Sequence, residues 1–158
     1  MKYARIRPNR LAERQCIIML LYTSSIEDLS ANKLHGFFVG WRNPPSTAMH
    51  IDLLKNSDEV ILAINGDTGN VVGFITAITD KVLTAYIPFL EVLPEYQGQG
   101  VGQELIRRML ERLNGFYAID LLCDRDLQPF YANFGMKPAF GMMLRNYEWQ
   151  SGKRSSLA

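Results

Sequence analysis

Three glycines at alternate positions, Gly98, Gly100 and Gly102, join a strand-like run to a helix-like run in "LEVLPEYQGQGVGQELIRRMLERLNG" (90–115). Glycine costs roughly 0.5–1 kcal/mol per residue inside regular structure, so this junction has to give something in return. A strand that feeds a helix through such a turn makes an anion site. The first-turn N–H groups have no helical partners, the helix dipole favours negative charge, and no Cβ blocks close approach. The helix itself is written in one apolar stripe, Val101, Leu105, Ile106, Met109, Leu110 and Leu113, closed by Asn114-Gly115.

The rest of the chain supplies a sheet for that turn to sit on. The continuous apolar run "CIIMLLYT" (16–23) predicts a buried strand. "SSIEDLSANKLHGFF" (24–38) starts like a helix behind Ser24 or Ser25, and "STAMHIDLLKNS" (46–57) like a second, capped by Ser46 or Thr47. "EVILAIN" (59–65) and "NVVGFITAIT" (70–79) flank "GDTG" and read as a hairpin, with "VLTAYIPFLEVL" (82–93) following after a tight turn. Beyond the glycine helix come a strand over "FYAIDLLC" (116–123), a short helix over "DLQPFYANFG" (126–135) and a last strand over "FGMMLRNYEW" (140–149). The order predicts an α/β chain with a mixed, α+β-like sheet: an antiparallel meander, then a right-handed crossover to a parallel strand. The expectation is one domain over residues 1–150, with 151–158 a frayed tail too polar to bury apolar area.

Composition removes several function classes. A net charge of +1 gives no general attraction to nucleic acid or to an anionic membrane. Cys16 and Cys123, like His35 and His50, are scattered without metal-ligand spacing, so no metal is expected. The longest aliphatic stretch (16–22) is far short of the roughly 20 residues that cross a bilayer. No cleavage signal follows it, and the expectation is a cytoplasmic protein with reduced thiols.

Phosphate is the anion that most often uses a glycine turn, and three patterns compete for this one. A P-loop needs Gly-Lys-Ser/Thr at its end, whereas Gln103 and Glu104 follow Gly102. The dinucleotide fingerprint begins with Gly98 and Gly100 and finds Asp120 in the next strand, but its third small residue falls at Gln103. The third pattern, [Gln/Arg]-x-x-Gly-x-[Gly/Ala], is met by "QGQGVG" (97–102), and "DLQPFYANFGMKP" (126–138) follows like an "A-x-x-F-Y-x-x-x-G-F" segment with Leu127 and Met136 as departures. Together these resemble the GCN5-related N-acetyltransferases, the GNAT superfamily, from about residue 59 to 147.

That resemblance implies a GNAT fold whose parallel strand pair splays, with coenzyme A in the gap. Acetyl-CoA is then the acyl donor and a primary amine the acceptor, by direct attack in a ternary complex. The N–H groups of Gln97, Gly98, Gln99, Gly100, Val101 and Gly102 would cradle the pyrophosphate. The backbone of Leu90 and Val92 would pair with the pantetheine arm. Pro88 suits such an edge, since proline cannot donate to a ladder. Tyr131 takes the place of the family tyrosine that protonates the leaving sulfur. Asp124 stands where many relatives carry a cofactor-touching Asn. The resemblance also makes a homodimer an option.

The remaining chemistry stays open at the level of sequence. Glu91, on the donor strand, is a candidate base or pocket residue, although alternation sets it on the face opposite Leu90 and Val92. Asp120 is either functional or a satisfied carboxylate of a half-buried strand, and Cys123 reads as a small apolar residue at a strand end. Tyr86, Trp41 and Phe38 are candidate walls of an acceptor pocket, against the alternative of an aromatic mini-core in 35–50. A non-catalytic acyl-CoA-binding regulatory module of the same fold is the competing function.

Overall fold

Helices cover both faces of the meander, which is why its strands carry almost unbroken apolar runs. The computed structural model describes residues 19–152. Its elements are β1 (Leu20–Thr23), α1 (Thr47–Lys55), β2 (Glu59–Asn65), β3 (Val71–Thr79), β4 (Thr84–Val92), α2 (Val101–Arg112), β5 (Ala118–Asp120) and α3 (Gln128–Ala132), with short 3-10 turns between some of them. The five strands lie in sequence order in one sheet; β1 to β4 pair antiparallel and β5 pairs parallel to β4. The mixed sheet and the crossover through α2 agree with the sequence reading.

Two cores result, one on each face. Ile61, Ala63, Val72, Ile75 and Ala77 pack beneath α2, whose stripe residues Val101, Leu105, Ile106, Met109 and Leu113 are all buried. Gly73 lets the helix come close: a Cβ there would lie 3.1 Å from Leu105 and 3.3 Å from Val101. On the other face Leu34, Phe37, Phe38, Leu54, Val60, Leu62, Val71 and Phe74 form the second core. His50 of α1 sits inside it against three rings, Phe74 at 4.4 Å, Phe38 at 4.9 Å and Phe37 at 5.2 Å between centroids. Burial lowers its pKa to about 4, so the imidazole is neutral there, and its Nε2 has no hydrogen-bond partner among the described residues.

Three sequence expectations change. The helix expected over 24–38 is a loop with one 3-10 turn, Ala31–Lys33. Hydroxyls of this serine-rich stretch bond its own main chain, as when Thr23 Oγ1 accepts from the Ser25 N–H at 3.0 Å. Gly36 and Phe38 then turn left-handed at φ +85° and +62°. Such local bonds compete with a helix. The strand expected over 116–123 pairs only over Ala118–Asp120. The last strand, expected over 140–149, is unpaired chain ending in a 3-10 turn at Tyr147–Trp149. The strand expected over 16–23 is seen as Leu20–Thr23; residues 16–18, and 153–158 of the tail, lie outside the described part. No described helix is long and apolar enough to cross a membrane.

Candidate functional site

β4 and β5 run together for three residue pairs, Thr84 with Ala118, Ala85 with Ile119 and Tyr86 with Asp120, and then part. From Ile87 to Val92, β4 is paired only to β3. The side of β4 that its main chain presents to the gap follows from one bond: the Leu93 N–H donates to the Val72 carbonyl at 2.9 Å. In the same register Glu91 faces Phe74 and Phe89 faces Thr76, so those residues spend their main-chain groups on β3. The peptide groups of the alternate residues, Leu90 and Val92, therefore face the gap. These are the two β4 residues whose backbone the resemblance assigns to the pantetheine arm.

At its far end the gap reaches the glycine turn. Asn65, at the β2–β3 corner, donates from Nδ2 to the Tyr96 hydroxyl at 2.9 Å and so fixes the chain just before the turn. Gly98 and Gly100 stand at φ +71° and +87°, and a Cβ built on either would meet no protein atom within 4 Å. Both facts matter: the backbone needs glycine for its conformation, and the space where a side chain would go is free for an anion. Gly102 has an ordinary φ and lies against the Phe130 ring, 3.6 Å from a built Cβ, which seats α3 on the start of α2. Among the described residues the N–H groups from Gly98 to Gln103 have no protein acceptor, as expected for the opening of a 12-residue helix.

Gln97 departs from its expected role. Its N–H is taken by the Pro94 carbonyl at 3.2 Å, and its side-chain amide donates to the Val92 carbonyl at 2.8 Å. It thus occupies one of the acceptors on the gap instead of offering its own donor. Gln99 uses its side-chain amide on the Glu95 carbonyl at 2.8 Å, leaving its N–H free. Glu104, which would repel an anion at the helix start, is neutralised by Arg107 at 2.7 Å and Arg108 at 2.6 Å. Their guanidinium groups hold its carboxyl down to about 2. Asp124 is exposed at the head of a 3-10 turn and makes no side-chain cap.

The Tyr131 ring lies on α3, packed edge-on against Phe130 with centroids 4.9 Å apart. Burial, and secondarily the neighbouring Cys123, pushes its hydroxyl up to about 12. Burial and Asp124 also raise the Cys123 thiol, so it stays protonated, in keeping with a packing role. Tyr131, Tyr86 and Asp120 all line one cleft of about 760 Å³ beside β5. Tyr86 and Asp120 are directly opposite one another at the point where the strands part. The described residues hold no group of three or more His, Cys, Asp or Glu placed for a metal.

Glu91 has a different employment. Its two carboxylate oxygens accept separate main-chain bonds, from Phe38 N–H at 2.9 Å and Val39 N–H at 3.0 Å. The carboxylate thereby ties the left-handed turn at Phe38 to β4, with both oxygens of this candidate base or pocket residue engaged by the main chain. Phe38 is corrected as well: only 4 % exposed, it is a core ring and no pocket wall, while Trp41, 5.2 Å from it, keeps an open edge. Removing the clamp by Glu91→Ala should cost roughly 2–3 kcal/mol, the loss of charge-assisted bonds to a part-buried amide. Glu91→Gln, which keeps one acceptor, should recover about half. Urea unfolding checks this; an unchanged midpoint for the alanine variant removes the clamp. Neither the Glu91 clamp nor the Gln97 bond has a signal in the sequence, because both depend on which chain comes to lie alongside.

Comparison with known proteins agrees with this geometry. Residues 26–136 match the family model described as acetyltransferase (GNAT) family. The chain is 30% identical over 121 residues to an uncharacterized N-acetyltransferase of Pyropia yezoensis, covering 73% of this chain and 69% of that protein. It is 35% identical over 86 residues to a chloroplastic GCN5-related N-acetyltransferase of Arabidopsis thaliana, of which it spans 35%. Among solved structures, a putative acetyltransferase from Deinococcus radiodurans R1 superposes with a TM-score of 0.82 at 39% identity, covering 86% of this chain and 94% of that one.

Proposed function

This chain belongs to the acetyltransferase (GNAT) family, and from that premise we propose that it moves an acetyl group from acetyl-CoA to a primary amine by direct attack within a ternary complex. The observation that carries the reading is the parting of β4 from β5. It leaves the Leu90 peptide groups and the Val92 N–H open along a gap that ends on the left-handed Gly98–Gly100 turn, with the Val92 carbonyl held by the Gln97 amide. That is a linear series of main-chain partners for an amide-containing arm, followed by a cluster of N–H donors for a pyrophosphate. In this reading Gly98 to Gly102 hold the phosphates, and the amide of Gln97 leaves the Val92 carbonyl when the arm takes its place. Asp124 stays a candidate cofactor contact at the rim.

The reaction requires a neutral amine, a polarised thioester and a stabilised leaving thiolate. A lysine-like amine with a pKa of about 10.4 is neutral in only about 1 in 10³ molecules at pH 7, a handicap of roughly 4 kcal/mol. The amine nitrogen attacks the thioester carbonyl carbon, the C–S bond breaks, and the amine proton leaves through water toward the open side of Tyr86 and Asp120. Tyr131 donates its O–H to the sulfur as charge gathers there. The acceptor enters past Tyr86 and the exposed edge of Trp41.

Release of coenzyme A thiol from acetyl-CoA, measured across a panel of primary amines and with longer acyl donors beside it, tests this. Turnover with at least one amine class is expected. Tight acetyl-CoA binding with no release for any amine would make the chain an acyl-CoA-binding module instead, and no binding at all would sink both.

A further inference from the structure

The cleft beside β5 holds one formal charge of each sign. Of the described residues that line it, Asp120 is the one carboxylate and Lys137 the one ammonium. Asp120 ends β5, directly opposite Tyr86 where β4 and β5 part. Lys137 belongs to the stretch 136–141, which lines the cleft from beyond α3. Neither side chain makes a hydrogen bond or an ion pair among the described residues. Elsewhere the chain does pair its charges: Arg107 and Arg108 hold Glu104, Arg112 holds Glu59, and Lys81 meets Asp58. Two opposite charges that share a cleft without meeting leave a place for a molecule that meets both.

The space around them is apolar and large enough for such a molecule. Phe116, Ile119, Phe134 and Phe140 line it, and about 760 Å³ lies within the range of small-molecule sites. Tyr131 lines it too, so a ligand there lies beside the candidate donor to the leaving sulfur. A lysine is a compact charge on a flexible four-carbon stem, which can follow ligands of differing length. Residues 136–145 make no main-chain hydrogen bond among the described residues, so no ladder fixes that side of the cleft.

We propose that the acceptor is an amino carboxylate, its ammonium set against Asp120 and its carboxylate against Lys137. This rests on the acetyl-transfer reading above and narrows it from primary amines at large to amines that also carry an acid. The ammonium first gives one proton to water. The nitrogen then attacks the thioester carbon, the C–S bond breaks, and a second proton passes from nitrogen to the coenzyme A sulfur. The product is an N-acetyl carboxylate. It keeps the charge that Lys137 holds and has lost the one that Asp120 holds, so Asp120 favours substrate over product and the site clears after each transfer.

Thiol release is compared within matched pairs that differ only in the carboxylate: phenylalanine against phenethylamine, and γ-aminobutyrate against propylamine. The wild type should favour the acid of at least one pair by about fivefold or more in kcat/KM, the worth of an ion pair in a cleft open to water. Lys137→Met should erase that preference and Lys137→Glu should reverse it, both through the KM of the acid. Acids that react no better than their matched amines, or a preference that survives Lys137→Met, overturn the proposal and leave acetyl transfer in place. So does an equal loss for both members of a pair with a raised KM for acetyl-CoA, which assigns Lys137 to the donor. No thiol release with any amine of the wider panel overturns the acetyl-transfer reading itself, and this inference with it.

Discussion

Gly98→Ala/Gly100→Ala should weaken acetyl-CoA binding by about 100-fold while leaving the protein folded. The two effects separate because of what surrounds these glycines. A Cβ on either meets no protein atom, so the fold feels only the backbone penalty of a left-handed alanine, roughly 1–2 kcal/mol per residue. In the proposed reading the ligand feels the methyl groups directly, since a phosphate held by the free N–H donors from Gly98 to Gln103 lies against the same stretch of main chain. Calorimetric titration reads the loss, and acetyl-pantetheine, which lacks the pyrophosphate, provides the control. It should bind wild type and variant alike. An acetyl-CoA affinity that survives in the variant would remove the phosphate from this turn.

Tyr131→Phe should lower kcat by roughly 10²- to 10³-fold and change the acetyl-CoA dissociation constant little, the pattern of an interaction made only as the sulfur gathers charge. The raised pKa defines how the hydroxyl works. At about 12 it is a far weaker acid than a thiol of pKa about 8.5, so complete transfer to sulfur is uphill by roughly 5 kcal/mol. In the proposed mechanism Tyr131 is therefore a hydrogen-bond donor to the leaving group, and the proton that finally rests on sulfur is the one the amine gave up. The pH profile carries the sign. The active form is protonated, and raising its pKa keeps it so to higher pH. Activity should rise as the amine loses its proton and show no fall near pH 10, where an ordinary tyrosine ionises. A falling limb near pH 10 in the wild type, or a kcat for the phenylalanine variant within twofold of wild type, would retire the assignment.

The sheet, the crossover and the glycine turn were legible because each rests on local chemistry. The apolar stripe of 101–113, the corner at Gly66–Gly69 and the glycine spacing at 98–102 say the same thing whatever lies around them. The alternation that set Glu91 opposite Leu90 and Val92 was legible too; the partner waiting on that face was not. Phe38 and Val39 reach Glu91 from more than 50 residues away, through a loop whose left-handed turn no propensity announces. Gln97 fits the motif by type yet spends its amide on Val92, a contact set by how tightly the chain doubles back after β4. The 140–149 stretch failed for the opposite reason. Its residues do favour a strand, but a strand exists only when its main chain is paired, and residues 136–145 make no main-chain hydrogen bond among the described residues.

If the donor binds along β4 as proposed, its recognition there falls to peptide groups, which has a consequence for how such a protein can change over time. The side chains of Leu90 and Val92 face the α2 core, while their amides and carbonyls face the gap. Any apolar residue that fills the core equally well carries the same amide and carbonyl, so drift at these positions leaves the donor's partners intact; only proline deletes one. The proposed acceptor walls, the open edge of Trp41 and the cleft beside Tyr86, would work through side chains, where each replacement alters what can enter. On the proposed function, lineages of this chain would keep one acyl donor through extensive divergence while their acceptors separate early.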